Sequence, residues 1–484
     1  MSKESDSNRC FLCFKSSTLE CSECRLVYAC STKHLKEHRN GDFCSPFRVE
    51  FRDDVGRYLV STRNIKKKEL ILTEPPFVTG PSLGRGLVCA ECLKSIKISV
   101  PCFSCNIPLC NQSCGDKANH RLECQYFQNP LLQGALGESD NAQTVLDIIL
   151  PLRYLLKSEY LQQTVTDLSK GEPWPEPETS SGLKQVLCLE EHRELLQDCM
   201  RIVFTNSKSL VDIGLTGSAV YNVYSLMNHS CVPNTNLSIA KDLSIRVVSN
   251  TDIGAGTEIS TRYGGLNIGQ PRRSELLYQH WRFRCKCSRC EDPTELETRT
   301  SGILCQVQDC SGYILPYTSL LWRCETCQGI SGLDYVLRVI RKAESNIKNN
   351  LGGEPDSGIL EKTISVLETS LHPNHYLISQ VKFVLVSWYA QAGRELSREE
   401  QERIVQVSLQ LIDLLQRLDP VNVTLGRVLR ILIPVWSQAN KQVNKQDFES
   451  GIIEKKEFER NKLKCFEFVD LLIASSSINK AKPN

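Results

Sequence analysis

The chain has 484 residues, 41% of them apolar and 24% charged, with a formal net charge of +2. That length allows about three domains, and the composition suits a soluble globular protein. The N-terminus, MSKESDSNRC, lacks the apolar core of a signal peptide, and V145-L-D-I-I-L150 is too short and broken for a membrane span, so neither a secretory leader nor a transmembrane helix is expected.

Cysteine is over-represented, with 24 residues: six lie in 10–44, seven in 89–124 and seven in 285–327. Without a secretory signal, metal binding explains such clusters better than disulfides. The first cluster reads C10-x2-C13, C21-x2-C24, C30-x3-H34, then His38 and Cys44. After it, R57-Y-L-V-S61 and E69-L-I-L-T73 carry β-formers at strand length, with the polar R63-N-I-K-K-K68 between them, which predicts a short β-hairpin.

The second cluster reads C89-x2-C92, C102-x2-C105, C110-x3-C114 and H120-x3-C124. Four pairs of ligands make two tetrahedral zinc sites, and spacing alone leaves sequential and interleaved pairing open. The ligand order resembles the MYND zinc finger, which is chiefly a protein-interaction module. The resemblance implies interleaving: Cys89, Cys92, Cys110 and Cys114 on one zinc, and Cys102, Cys105, His120 and Cys124 on the other. The first cluster resembles a variant of the same finger, with His34 where the family usually has Cys. By that resemblance Cys10, Cys13, Cys30 and His34 form one site, and Cys21, Cys24, His38 and Cys44 the other. These compact fingers lack the helix of a DNA-reading finger, so nucleic acid is not the expected ligand.

Farther along, L146-D-I-I-L-P-L-R-Y-L-L156 and E190-E-H-R-E-L-L-Q-D-C-M-R-I-V203 show apolar recurrence at three and four residues and predict helices. K170-G-E-P-W-P-E-P-E-T-S-S-G182 between them reads as a loop. Then come T205-N-S207, S225-L-M-N-H-S-C-V-P-N234, T257-E-I-S-T-R-Y263 and F283-R-C-K-C-S-R-C290. Cys285, Cys287 and Cys290 lack a fourth ligand for zinc, and Cys231 is the natural donor. A protease-like Cys231–His229 pair would instead need an exposed, unligated thiol. C305-x4-C310-x13-C324-x2-C327 has the pattern of a four-cysteine zinc ribbon. Beyond it, Y335–I347, L377–G393, S397–L418 and L425–A439 read as helices whose apolar faces suggest antiparallel pairs. Six zincs in all would use every cysteine except Cys188, Cys199 and Cys465, and would turn the formal +2 into about −7, a balance that favours basic protein partners over nucleic acid.

Taken together, N228-H-S-C-V-P-N234, the strand ending in Tyr263 and the C-x-C-x2-C knot resemble a SET domain with its post-SET zinc knot. A MYND finger inserted after the first SET strands and a helical tail resemble the SET-and-MYND (SMYD) family of protein-lysine methyltransferases. The extra N-terminal finger and the ribbon look like its arthropod-type branch. The fold implied is α+β: a SET-domain β-fold with an inserted MYND finger, a post-SET knot, a four-cysteine ribbon and a C-terminal α-helical, tetratricopeptide-like domain. The divisions expected are 8–44 for the first finger, 46–84 for the N-terminal part of the SET domain, 89–124 for the MYND finger and 126–205 for a helical insert. The SET core follows at 206–265, the post-SET knot at 281–292, the ribbon at 303–328 and the helical domain at 331–484.

The resemblance also implies roles. S-adenosylmethionine is the cofactor beside zinc. Gly56, Arg57 and Tyr58 form the turn that approaches it; Asn228 and His229 hold its adenosyl moiety, Asn206 contacts its amino-acid end, Ser225 lines the pocket and Phe283 stacks on the adenine. Tyr263 is the catalytic candidate and also faces the cofactor, its hydroxyl orienting a deprotonated lysine amine; desolvation in an apolar channel lowers that lysine's pKa. Two residues depart from the family: Tyr58 where a second Gly is frequent, and Trp281 where the lysine channel usually has Tyr or Phe. Two functions follow. The first is a protein-lysine methyltransferase acting on a histone or another protein; the alternative is a non-catalytic adaptor or transcriptional corepressor, which Trp281 and Tyr58 favour. Either is expected as a monomer in cytoplasm and nucleus, binding protein ligands through its MYND finger, with no membrane association.

Overall fold

The computed structural model describes residues 10, 13, 15–21, 27–40, 46–128, 142–160, 168, 193–265, 268–353, 355–390 and 396–418. Cys24, Cys44, Cys188, Cys465 and the helix expected over 425–439 lie outside them. The chain divides into two compact units. The first holds residues up to 229, 233–261 and 279–283; the second holds 230–232, 262–278 and 284 onward.

In the first unit the N-terminal segment has two short strands, Leu19–Glu20 (β1) and Tyr28–Ala29 (β2), paired antiparallel, and a helix over Thr32–Asn40. Three antiparallel three-stranded sheets follow. Phe47–Arg52 (β3) and Gly56–Ser61 (β4) are a true hairpin across D53-D-V55, with Glu258–Ile259 (β13) on the far edge of β4. Leu70–Glu74 (β5) pairs instead with Ile245–Ser249 (β12), which pairs with Thr235–Ile239 (β11). Val78–Pro81 (β6) and Lys208–Ser209 (β9) flank Gly217–Val220 (β10).

The hairpin expected between residues 57 and 73 therefore does not form: both strands exist, but they belong to different sheets. The reason is Ile65. It is fully buried and bridges to Ile253, so the basic segment between the strands is a crossover pinned to the core, not a free turn. Alternation on β12 buries Ile245 and Val247, which join Phe47, Leu59, Ile71, Leu72 and Tyr221 in the core between the sheets.

A second core joins residues 89–127, where the finger is expected, to the two helices of the expected insert. The finger carries the short strands Val100–Pro101 (β7) and Pro108–Leu109 (β8) and a helix over Ala118–Tyr126. The insert helices span Ala142–Tyr160 and Arg193–Asn206. Val145, Leu146, Ile149, Leu152 and Leu155 form one buried stripe on the first of these and meet Ile107, Leu109 and Phe127 of the finger. Gly80 on β6 lets that helix lie against the sheet: a Cβ there would come within 2.7 Å of the Leu150 Cβ.

The second unit combines a ribbon with helices. Ile303–Leu304 (β14), Tyr313–Pro316 (β15), Leu321–Cys324 (β16) and Ile330–Gly332 (β17) form one antiparallel sheet in chain order. Helices over Leu333–Leu351, Ser357–Glu368, Tyr376–Ala390 and Arg398–Leu418 each pack on the next. Ile303, Ile314 and Trp322 of the ribbon share one core with Val336, Leu360, Ile378 and Leu411 of the helices, so the ribbon is part of this domain. No helix among the described residues is long and apolar enough to cross a membrane.

Candidate functional site

The N228-H-S-C-V-P-N234 stretch is held from both ends. Upstream, the half-buried Glu74 carboxylate accepts the backbone N–H groups of Val223 and Tyr224, each at 2.9 Å, and so fixes the short Tyr224–Leu226 turn that leads into Asn228. Burial pushes the Glu74 carboxyl above its ordinary range, against the pull of those donors. The Tyr224 hydroxyl, which burial pushes up to about 12, lies 3.2 Å from the Thr261 hydroxyl. Downstream, the Asn228 carbonyl accepts the Thr261 N–H at 2.9 Å, and His229 bridges to Thr261. The strand expected to run to Tyr263 pairs only over Glu258–Ile259; past it the backbone is spent on the Asn228–His229 turn.

Side chains complete the arrangement. Asn228 Nδ2 donates to Glu258 Oε1 at 2.9 Å, and Arg52 approaches the other Glu258 oxygen at 4.0 Å. Arg52 pairs in register with Gly56, whose φ of +75° only glycine adopts freely and beside which a Cβ would meet open space. Arg57 is exposed, while the Tyr58 hydroxyl donates to Glu50 at 3.3 Å with its ring under Arg52. The His229 and Phe283 rings lie 5.8 Å apart. Asn206 turns its amide back onto Ile202 O, and its carbonyl accepts the Ser225 hydroxyl at 3.4 Å. Trp281 Nε1 donates to Thr205 O at 2.9 Å, fixing its ring at the end of the Arg193–Asn206 helix. Gly56, Tyr58, Asn228, His229 and Phe283 thus converge through Glu258 and Thr261, and Asn206, Ser225 and Trp281 gather at the helix end. Tyr263 is half-buried and belongs to the second unit.

An open glycine turn and a half-buried aromatic pair suit a flat base with a ribose, and the polar turn between them suits the rest of S-adenosylmethionine. Sequence reasoning did not single out Glu74, Glu258 or Thr261. Their signal was weak: one carboxylate at a strand end and two polar residues in the run T257-E-I-S-T261.

Five groups of ligand atoms meet metal geometry among the described residues, with all members of each within 4.8 Å of one another. They are Cys10, Cys13, Cys30 and His34; Cys89, Cys92, Cys110 and Cys114; Cys102, Cys105, His120 and Cys124; Cys231, Cys285, Cys287 and Cys290; and Cys305, Cys310, Cys324 and Cys327. Sulfur separations of 3.7 Å for Cys92–Cys110, 3.5 Å for Cys231–Cys290 and 3.7 Å for Cys310–Cys324 match the S···S distance of about 3.8 Å around a tetrahedral zinc. The structure therefore supports five groups, not the six expected. Of the sixth, Cys21 and His38 are fully buried, and Cys24 and Cys44 lie outside the described residues.

In the second finger site His120 Nδ1 lies 3.3 Å from Glu123, whose carboxylate is clasped by Arg153; all three side chains are buried. Arg153 also donates to Thr79 O on β6 at 2.7 Å, tying the finger to the sheet. Cys102 shows the electrostatics of this site: burial pushes its thiol up, but His120 and backbone N–H groups outweigh that and pull it down to about 7.

Residues 56–264 match the SET domain family. The SET domain-containing protein SmydA-8, isoform B, of Drosophila melanogaster is 26% identical over 342 residues, which is 64% of this chain and 74% of that protein. N-lysine methyltransferase SMYD2-B of Danio rerio is 28% identical over 258 residues, 49% of this chain and 58% of its own. Histone-lysine N-methyltransferase SMYD3 of Homo sapiens is 24% identical over 275 residues, 49% of this chain and 59% of its own. This chain is also similar to Rubisco LSMT bound to S-adenosylmethionine, at 12% identity over 86% of this chain and 95% of that one, with a TM-score of 0.25. With the turn at Asn228 and the sheets that hold it, the family match over residues 56–264 identifies a SET domain in this chain.

Proposed function

We propose that the protein is an S-adenosylmethionine-dependent protein-lysine N-methyltransferase. The observation that carries this is the convergence of the Gly56 turn, the Asn228–His229 turn and Phe283 around Glu258 and Thr261. When bound, the cofactor supplies a methyl group already activated on a sulfonium. The protein's task is then alignment and exclusion of water. Phe283 and His229 offer an aromatic surface to the adenine, Gly56 permits close approach of its backbone, and Asn206 and Ser225 stand at the amino-acid end. In this reading the Tyr263 hydroxyl orients the lysine amine, a role that rests on the family resemblance.

The finer reading is a SET-and-MYND protein of the arthropod-type branch. Residues 89–124 form its MYND finger, 10–44 a second finger, 281–292 the post-SET knot and 303–328 a zinc ribbon, with zinc on the five ligand groups and a tetratricopeptide-like tail. It acts as a monomer in cytoplasm and nucleus on a protein substrate, with further protein ligands on the fingers. A second reading, a non-catalytic adaptor, is favoured by one observation: the Trp281 ring is tied to Thr205 O, next to Asn206, so its bulk stays there.

The test is transfer of labelled methyl from S-adenosylmethionine to lysine in histones and in a cell lysate. Lysine labelling that Tyr263→Phe abolishes supports the enzyme. No labelling by the wild-type protein, with the zincs loaded, favours the adaptor.

A further inference from the structure

The second unit buries an unusual set of charges beside the Cys231–Cys285–Cys287–Cys290 group. Arg273 and Arg289 are 4% and 0% exposed, and both pair with one carboxylate, Glu295, which is 1% exposed. Arg273 Nη1 donates to Glu295 at 2.8 Å and to Ile268 O at 2.9 Å, and its Nη2 donates to Cys290 Sγ at 3.4 Å. Arg289 donates through Nε to Glu295 at 2.9 Å and through Nη2 to Ile268 O at 3.1 Å. A third guanidinium, half-buried Arg262, donates to Cys231 O at 3.0 Å.

Two buried cations thus share a single carboxylate, with Arg262 held nearby on the Cys231 carbonyl. Buried guanidinium groups are not tolerated without counter-charge. A divalent ion on four thiolates carries two negative charges, enough to offset the positive charge that one carboxylate leaves on the two arginines. The backbone shows how firmly this cluster is specified. Glu295, Leu296, Glu297 and Arg299 all have φ between 49° and 63°, a left-handed conformation costly for residues other than glycine. That turn delivers Glu295 between the two arginines, where Ser301 and the Gln270 N–H also bind it.

We infer that the metal on these four cysteines is the counter-ion of this buried arginine cluster, and that Arg273 is a positioning residue of the metal site, holding the Cys290 thiolate in place. The same network ties the knot to the helical domain. Past Glu295 the chain pairs onward: Tyr376 N–H donates to Thr300 O at 3.0 Å and His372 N–H to Gly302 O at 3.0 Å. Metal loss therefore unlocks not just the knot but the segment from Arg262 to Gly302. None of this depends on which reaction, if any, the protein performs.

The experiment uses the full chain loaded with zinc. A thiol-alkylating reagent is applied with a competing chelator, and each cysteine's labelling is followed by peptide mass spectrometry, the ribbon cysteines 305, 310, 324 and 327 serving as the internal control. For Arg273→Met, labelling of Cys231, Cys285, Cys287 and Cys290 accelerates at least about tenfold while the ribbon is unchanged, and Arg273→Lys restores most of the protection; a lost second-shell contact typically weakens metal binding by about 10–100-fold. Knot cysteines as protected in Arg273→Met as in the wild type overturn the proposal. So does equal deprotection in Met and Lys variants, which marks a merely structural role. Should Arg273→Met be insoluble, wild-type protein decides the matter: as chelator removes the knot metal, amide hydrogen exchange across residues 262–302 rises with it. Protection of that segment retained after the knot cysteines have reacted refutes the inference.

Discussion

The amide of Asn228 donates to the carboxylate of Glu258 at 2.9 Å, joining the polar turn of the SET domain to the strand beside it. A carboxylate only accepts, so this contact decides which end of the Asn228 amide is used up and leaves its oxygen for other work. Charge-assisted hydrogen bonds of this kind contribute about 1.5–3 kcal/mol. Glu258→Ala should weaken S-adenosylmethionine binding by about tenfold or more. Calorimetry on folded variant protein checks this; unchanged affinity removes Glu258 from the site.

Glu74 does a comparable job one turn earlier, but for the fold. Its loss leaves the N–H groups of Val223 and Tyr224 without their acceptor. Each orphaned donor costs about 1–3 kcal/mol, so Glu74→Ala should destabilise the first unit by about 2–6 kcal/mol, read from denaturant unfolding. A change below about 0.5 kcal/mol would mean that water or another group takes the place of the carboxylate.

The finger site of Cys102, Cys105, His120 and Cys124 depends on a helix outside the finger, because Arg153 holds the Glu123 that faces His120. Arg153→Met strands a buried carboxylate, and breaking a buried ion pair by removing one partner costs about 3–5 kcal/mol. The expected outcome is faster alkylation of Cys102, Cys105 and Cys124 under chelator, with Cys89, Cys92, Cys110 and Cys114 much less affected. Equal loss at both sites would show instead that the whole finger had come undone.

Acid sensitivity has an identifiable source in the second unit. Burial holds the His375 imidazole down at about 3 and that of His372 at about 4, against an ordinary value of 6.5. His375 Nδ1 accepts the Leu377 N–H, so the neutral ring carries its proton on Nε2, which has no partner among the described residues; a second proton would go onto Nδ1, against the Leu377 N–H it now accepts. A folded-state pKa below the unfolded one gives stability that is complete above about pH 6.5 and is lost as pH falls toward 3. The loss from His375 is about 3–5 kcal/mol over that window. Unfolding of wild type and His375→Gln between pH 7 and 5 should show the shallower slope in the variant; parallel slopes would place the sensitivity elsewhere.

What was legible in the sequence is what short-range spacing encodes. Paired cysteines announce their ligand groups, and the apolar stripes at 146–156, 377–393 and 397–418 correspond to the helices Ala142–Tyr160, Tyr376–Ala390 and Arg398–Leu418. Strand partners were not legible. Residues 57–61 and 69–73 look like a hairpin because nothing local reveals that Ile65 is pinned to Ile253. The Ser357–Glu368 helix is hidden behind the loop-like G352-G-E-P-D-S-G358, although Leu360, Ile364 and Leu367 share its buried face. The buried charges that organise the metal sites were invisible for the same reason. Glu123 with Arg153, and Glu295 with Arg273, pair across 30 and 22 residues.

Binding of the methyl donor by the protein is the most direct test of the proposed activity. Calorimetric titration of zinc-loaded protein with S-adenosylmethionine is predicted to give saturable one-to-one binding with a dissociation constant below about 100 µM, or more than about 5 kcal/mol of binding free energy. No heat of binding at high micromolar donor, from protein whose metal content and folding are intact, would contradict it.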